Sequence, residues 1–314
     1  MEGYIEQLKT AYLSWRGGTY ARQGYEYCLG SKAACEPFIE DGAHQLPWGV
    51  EPSPEQYGSV KSLRLFPNAQ QIKTASVPLF VKKCAKLEFI AMPVSFIMQL
   101  TPDALPDSIR SMMLRNSKET AALVKNKNLI WPDSAVARNI RAIQFPELGG
   151  AVEVDSLFGI SEQVLPSLEF LECSVRKGKR RLETIFGFRK LKFLALEHVA
   201  GQNVFESVNS PLQALSIVDA GRDLPFNDIS RLKSVEMLWL NNLRCTVDCS
   251  VLARLPMLKE LEVLNSNKIS NIRALLNIGT LESIRFLSCG KPFTAEDAAL
   301  FHAKNYRRLE IDFA

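Results

Sequence analysis

The sequence has few histidines and no long apolar run. Only His44, His198 and His302 occur among 314 residues, and none lies in a motif typical of a catalytic nucleophile and its base. No stretch approaches the roughly 18 apolar residues of a membrane-spanning helix, and the first residues lack the apolar run of a signal peptide. These absences argue against an enzyme and a membrane protein, and they predict a cytoplasmic location or, as the alternative, export without a classical signal.

A strong excess of either charge is also lacking. The 38 basic and 34 acidic residues leave a formal net charge of +4, which is too small to predict a nucleic-acid or membrane surface. The one dense basic run, residues 176–181, is a candidate contact for phosphate or an acidic partner, but a run this short favours a solvated loop. We therefore expect neither nucleic acid nor a membrane as partner.

The cysteines form no recognisable framework. There are seven, an odd number, and the spacings of Cys28 from Cys35 and of Cys245 from Cys249 do not suit paired zinc ligands. Several stand where any small apolar residue would serve. We predict buried free thiols in a reducing compartment, with no metal and no cofactor.

What the sequence does have is an internal repeat. Leu252, Leu255, Leu258, Leu261 and Val263 step by three residues and then by two. The step of two is typical of a short strand with alternate side chains in a core, and the steps of three suit a 3₁₀ or short helical return. One such coil cannot bury its own apolar face, so neighbouring coils must stack.

The repeat recurs along most of the chain. Taking the first residue of each terminal pair, seven well-supported copies follow one another at intervals of 21 to 25 residues, at Leu171, Leu194, Leu215, Leu238, Leu261, Ile284 and Leu309. Four weaker copies precede them, at Leu63, Leu87, Met112 and Ile143. The pattern predicts about eleven repeats of roughly 23 residues.

The stretch from Leu261 to Leu275 resembles the 22-residue leucine-rich repeat of internalins and of phosphatase-regulating repeat proteins. The resemblance covers about residues 57–314 and implies an α/β leucine-rich-repeat solenoid, with a parallel sheet on its concave face and, for most members, protein binding. The family's ladder asparagine is absent. Its place is taken by Val199, Ala220, Leu243, Ser266 and Cys289.

The two ends of the chain differ from the repeats. Residues 1–56 show no repeat, and Ile5, Leu8, Tyr12 and Leu13 share one helical face. We predict a partly helical N-terminal cap at 1–56, a solenoid at 57–314 that is irregular over 57–164 and regular over 165–314, and a short helix over 295–304.

The concave face is the candidate site. Strand residues beside the core pairs point outward, and His198 is expected at the rim as an ordinary surface residue. Phe170, Phe193, Met237 and Trp239 would form an exposed patch of the kind that marks interfaces. The predicted partner-binding residues are Phe170, Glu172, Phe193, Glu197, Met237, Trp239, Asn241, Glu262 and Arg285.

Three functions remain open at this stage. The first is a non-catalytic module that clamps a protein partner, in the narrower form an immunity or inhibitor protein that blocks a toxin or enzyme. The second is a secreted effector or an adaptor that engages host or signalling proteins. The third is an enzyme whose N-terminal region is active and whose repeats select substrate. Fold alone does not decide among them.

The cysteine interpretation makes the first testable prediction. Thiol titration of the protein purified without reductant and then unfolded should count seven free thiols. The control is the same sample reduced before the assay. A deficit of two or four thiols relative to that control would show pairing and contradict the predicted reducing compartment.

Overall fold

The computed structural model describes residues 10, 20–101, 103–115, 131, 135–145, 160–174, 185, 187–199, 205 and 210–312. The chain divides into two compact units, Met1–Phe170 and Leu171–Ala314. The predicted first helix around Ile5 to Leu13 and the basic run 176–181 lie outside the described residues.

The described part of the first unit contains six strands, all parallel. They are β1 (Glu26–Gly30), β2 (His44–Leu46), β3 (Ser62–Phe66), β4 (Phe89–Pro93), β5 (Ser111–Arg115) and β6 (Ala142–Gln144). Their order in space is β2-β1-β3-β4-β5-β6, and every neighbouring pair is parallel. Its helices are α1 (Lys32–Glu40), α2 (Ala69–Thr74) and α3 (Ala135–Asn139), with 3₁₀ segments at Ala21–Gln23, Pro54–Gln56, Leu79–Lys83 and Val94–Gln99.

The second unit continues the same design. Its main strands are β7 (Phe170–Ser174), which starts at the boundary, β8 (Phe193–Glu197), β9 (Ala214–Val218), β10 (Met237–Asn241), β12 (Glu260–Leu264), β14 (Ser283–Leu287) and β15 (Arg308–Ile311). A separate short pair consists of β11 (Val247–Asp248) and β13 (Ile269–Ser270). The helices are α4 (Cys249–Leu252) and α5 (Ala295–His302), with 3₁₀ segments at Phe226–Arg231 and Ile272–Asn277.

One row of side chains runs through the core of the second unit. Leu194, Leu215, Leu238, Leu261 and Ile284 stand opposite one another in consecutive strands, and each has no exposed surface. Stacking the coils buries the apolar face that one coil alone would leave in water. The predicted register of these repeats is confirmed.

In the first unit, the register predicted for Leu87 is wrong. Leu87 was predicted as a strand residue of the ladder, but it lies two residues before β4, and Ile90 takes the place opposite Leu63 and Met112. The local sequence offers apolar residues at 87, 89, 90 and 92, so two registers fit the spacing. Leu87 is buried in the turn instead, where its N–H donates to the carbonyl of Cys84 at 2.9 Å.

Two of the described strands fall inside the range that showed no repeat. β1 pairs with β3 and places Tyr27 opposite Leu63, and β2 pairs with the other edge of β1. The predicted C-terminal helix is confirmed as α5, where Thr294 accepts from the Asp297 N–H at the N-terminus. The leucine-rich-repeat fold predicted from the sequence is therefore confirmed. The assignment of residues 1–56 as a cap, and the boundaries at 57 and 165, remain proposals.

The core row carries a stability prediction. Leu238→Ala should lower the free energy of unfolding by about 2–5 kcal/mol, because it leaves a cavity in a fully buried position. Leu79, which is 79% exposed, provides the matched control, and Leu79→Ala should stay within about 0.5 kcal/mol of the parent. Thermal or denaturant unfolding measures both, and equal effects would contradict the assignment of Leu238 to the core.

Candidate functional site

Strand alternation gives the sheet two faces. In each five-residue strand, the second and fourth side chains enter the core, as Leu238 and Leu240 do in β10. The first, third and fifth side chains lie on the opposite side, here called the outer face, which is the predicted concave face. Protein binding was predicted on this side.

In the first unit, the chain itself covers the outer face. Cys28 of β1 packs against Cys35 of α1 in an apolar cluster, and the ring of Phe38 stacks on Phe66 of β3 at 5.4 Å between centroids. Tyr20 packs against Phe89 and donates its hydroxyl proton to Glu88 at 2.7 Å. These contacts place Tyr20 and α1 over the outer face of β1, β3 and β4.

Two arginines lie beneath this cover. Arg64 forms a buried ion pair with Glu26, and its guanidinium lies 4.5 Å from the ring centre of Phe38 and 4.9 Å from that of Phe89. Arg115 lies 4.2 Å over the ring of Phe66, and its burial and the nearby charge of Arg64 lower its pKa. The covered face is therefore held by ionic and cation–π contacts as well as by apolar packing.

The second unit leaves its outer face partly open, but not where the sequence predicted. Phe170, Phe193 and Met237 were expected to be exposed, and each has no exposed surface. That prediction is wrong, because alternation fixes the face of a side chain but not whether its neighbours cover it. All three are the first residue of their strand.

Trp239 provides the cover over Phe193. Their ring centroids are 5.6 Å apart although β9 lies between their strands. The intervening strand carries Ala214 opposite Phe193 and Ser216 opposite Trp239, and these small side chains let the indole reach across it. The indole Nε1–H also donates to Oε1 of the buried Glu260 at 2.8 Å. Trp239 is thus fixed and half-buried at the centre of the face.

A row of opposite charges continues from Trp239 along the third strand positions. Arg285 stands between Glu262 and Glu310 in the ladder and forms ion pairs with both. Arg308 pairs with Glu310 at 2.7 Å, and the hydrogen bonds from Arg285 and Arg308 lower the pKa of the Glu310 carboxyl. These charged side chains are therefore already ion-paired with one another within the chain.

The other predicted residues divide by burial. Glu172 is buried with 4% exposed surface, whereas Glu197 and Asn241 are half-buried at the fifth positions of β8 and β10. Asn241 accepts from the Asn265 amide at 2.9 Å. Three half-buried apolar residues at the same strand position, Val218, Leu264 and Leu287, were not selected from the sequence. Their place two residues beyond Ser216, Glu262 and Arg285, which lie on the same face, was the available signal.

Each main strand of this unit from β8 to β14 is followed by a residue whose backbone is in the left-handed region. His198, Asp219, Asn242, Asn265 and Ser288 directly follow these strands and have φ between 50° and 57°. This region is uncommon for non-glycine residues, and Asn, Asp and His tolerate it best. The Asp219 N–H donates to the carbonyl of Asn241 at 3.0 Å, which carries the ladder one residue past the strands.

The next residue replaces the family's ladder asparagine. Ser266 Oγ accepts from the Leu243 N–H at 3.0 Å and donates to the Leu264 carbonyl at 2.9 Å. The Cys289 thiol lies 3.3 Å from the carbonyl oxygens of Val263 and Leu287. Val199, Ala220 and Leu243 are buried apolar residues at the same point. The turns are thus satisfied by different chemistry from repeat to repeat.

The left-handed residues border a pocket of about 440 Å³ at the carboxyl ends of β8, β9 and β10. Its lining is His198, Val199, Asp219, Ala220, Gly221, Asn242 and Arg244. Asp219 accepts a hydrogen bond from the Asn242 amide, and its Oδ2 lies 3.7 Å from His198 Nδ1. His198 occupies the rim predicted from the sequence, and Asp219 and Arg244 join it there.

The cysteines are as predicted. All seven are free and buried, and burial raises the pKa of the Cys84 thiol to about 11 and that of Cys249 to about 12. Cys28 and Cys35 are hydrogen-bonded to each other, and desolvation raises the pKa of both. Such thiols are poor nucleophiles and poor metal ligands.

The described residues contain neither a metal-binding cluster nor a membrane-spanning helix. Across the described ranges, no three His, Cys, Asp or Glu side chains are grouped so that they could hold a metal ion. Nor does any helix in the described part of the chain have the length and apolar character to cross a membrane.

Comparison with known proteins gives likeness in structure alone. No family model matches the sequence, and no curated protein matches it. An internalin from Listeria monocytogenes is 14% identical over 83% of this chain and 84% of its own, with a TM-score of 0.45. A leucine-rich-repeat protein from Leptospira interrogans is 15% identical over 92% and 89%, with a TM-score of 0.37. TLR13 in complex with a single-stranded RNA is 16% identical over 87% of this chain and 36% of its own, with a TM-score of 0.38.

The turn chemistry is open to test. Ser266→Ala removes the acceptor of the buried Leu243 N–H and should cost about 1–3 kcal/mol of the free energy of unfolding. Ser288, exposed in the following turn, is the control, and Ser288→Ala should change that free energy by less than about 0.5 kcal/mol. If denaturant unfolding shows the two variants to be equally stable, Ser266 does not replace the ladder asparagine.

Proposed function

We propose that this chain is a non-catalytic protein-binding module and that the outer face of β8–β14 is its binding surface. The observation that carries the proposal is the fixed, half-buried Trp239, held between Phe193 and Glu260. Tryptophan is enriched among the residues that dominate interface energies. A side chain that is already ordered loses little conformational entropy when a partner binds.

The surroundings of Trp239 suit a protein partner. Val218, Leu264 and Leu287 give it a half-buried apolar margin, and the row from Glu262 through Arg285 to Glu310 forms a charged rim. An apolar centre with a polar rim is the usual anatomy of a protein interface. We assign the predicted residues Glu197, Asn241, Glu262 and Arg285 to this proposed surface.

The buried members of the predicted set act indirectly. Phe193 supports Trp239 from below, and Phe170, Met237 and Glu172 are buried, so we assign these four to the integrity of the face and not to contact. The covered outer face of β1, β3 and β4 is not offered as a surface, because Tyr20 and α1 occupy it.

Nucleic acid is a less suitable partner. The outer positions of the second unit carry Glu197, Glu260, Glu262 and Glu310 beside Arg285 and Arg308. Carboxylates repel a phosphate backbone, which is bound through an excess of Lys and Arg. We retain the expectation of a protein partner and of no nucleic-acid partner.

Within this class, the narrower proposal is an inhibitor or immunity protein that blocks a toxin or enzyme. The support is physical: a surface whose ion pairs are already formed is preorganised, and preorganisation favours tight binding. An effector or adaptor is the alternative. Identification of the partner by affinity capture and mass spectrometry, followed by an activity assay of that partner with and without this protein, separates the two.

The binding surface is tested by one substitution and its control. Trp239→Ala should weaken binding of the purified partner by at least about thirtyfold, or about 2 kcal/mol, because the variant loses the central anchor. Trp48→Ala makes the same chemical change at a half-buried tryptophan of the first unit, beside Phe96, and should leave affinity unchanged. Calorimetry measures affinity, and circular dichroism confirms folding.

Two other outcomes would be informative about the same surface. Phe193→Ala should lower stability by about 3–5 kcal/mol as a core-like deletion, so its effect on binding is interpretable only with its melt. Unchanged affinity of a folded Trp239→Ala variant would contradict the proposed surface.

A further inference from the structure

The pocket at the carboxyl ends of β8, β9 and β10 holds one cationic group that is not compensated. Arg244 is exposed, lines the pocket, and forms no ion pair with any residue that the structure describes. Its backbone is fixed by a 3.0 Å hydrogen bond from its N–H to the carbonyl of Ala220. An arginine whose backbone is fixed and whose guanidinium is exposed is suited to bind an anion.

The acidic residue of the pocket is already engaged. Asp219 accepts from the Asn242 side-chain amide and faces His198 Nδ1 at 3.7 Å. Its backbone also takes part in the turn, where its N–H donates to Asn241. Asp219 therefore orders His198 and Asn242 around the pocket and is not available to neutralise Arg244.

The pocket borders the proposed binding surface. His198, Asp219 and Asn242 directly follow Glu197, Val218 and Asn241, the fifth outer positions of β8, β9 and β10. A protein seated on Trp239 thus reaches the pocket without leaving these three strands. This continuity makes a group of the partner the natural occupant.

We propose that this pocket binds a carboxylate presented by the protein partner, with Arg244 as the ionic contact and His198 and Asn242 as polar neighbours. The proposal rests on the function proposed above, which it extends to the chemistry of the partner. A carboxylate carries one negative charge, whereas a phosphate carries close to two and would be repelled more strongly by Asp219. A lysine or arginine of the partner would meet Arg244 at the mouth.

The test uses small probes and the full chain. ¹⁵N-labelled protein is titrated with the methylamide of N-acetylglutamate, which presents a side-chain carboxylate, and with N-acetylglycine, which presents a terminal one. The Gly221 amide and the Arg244 Nε–H report on the pocket. We expect saturable shifts with at least one of these probes, and the tighter of the two identifies the source of the carboxylate. Inorganic phosphate and the methylamide of N-acetyllysine are the competing ligands.

Paired variants make the outcome decisive. Arg244→Gln should weaken binding of the carboxylate probe by roughly fivefold, as expected for loss of one exposed charge pair. Arg222→Gln, at a neighbouring exposed arginine outside the lining, should leave that affinity unchanged. Absence of saturable shifts, equal binding to Arg244→Gln, or preference for phosphate or the lysine probe would overturn the proposal. No partner protein enters this titration, so its failure leaves the role of Trp239 standing, and failure of Trp239→Ala to affect partner binding leaves the probe result standing.

Discussion

The structure depends on one constraint, which is that no coil can bury its apolar face without the next coil. Leu194, Leu215, Leu238, Leu261 and Ile284 lie opposite one another with no exposed surface, and each is covered only because its neighbours are in register. This couples neighbouring repeats strongly and distant ones hardly at all. It also separates two tasks along every strand, because the second and fourth residues fill the core between coils while the first, third and fifth build the outer face.

The outer strand positions differ between the two units in what surrounds them. In the first, Tyr20 and the α1 residues Cys35 and Phe38 cover the outer face of β1, β3 and β4. In the second, a tryptophan fixed over the small side chains of β9 and a row of paired charges occupy the same positions. The strands of both units are parallel and alternate in the same way, so the difference lies in what packs against the outer face. The proposed recognition surface accordingly lies in the second unit.

Prediction from the sequence succeeded where periodicity carries the information and failed where coverage decides. The register of Leu238 and Leu261 followed from regular spacing, whereas Leu87 and Ile90 both fitted one local pattern and only tertiary packing chose between them. Alternation placed Phe193 and Trp239 on one face correctly, but not the indole across β9 that buries the phenyl ring. The pocket lined by Arg244 lies at the ends of three strands, and no local sequence pattern predicts that these ends share a pocket.

The turn at Ser266 gives the array a direction. Its hydroxyl accepts the N–H of Leu243, which belongs to the repeat before it, so one coil supplies what the preceding coil lacks. At the same turn position, Cys289 offers a thiol, whereas Leu243 and Ala220 offer no polar side-chain atom. The repeats are therefore not interchangeable. A coil deleted, duplicated or moved within the array would bring together a turn and a donor that were never matched, even where the leucines remained in perfect phase.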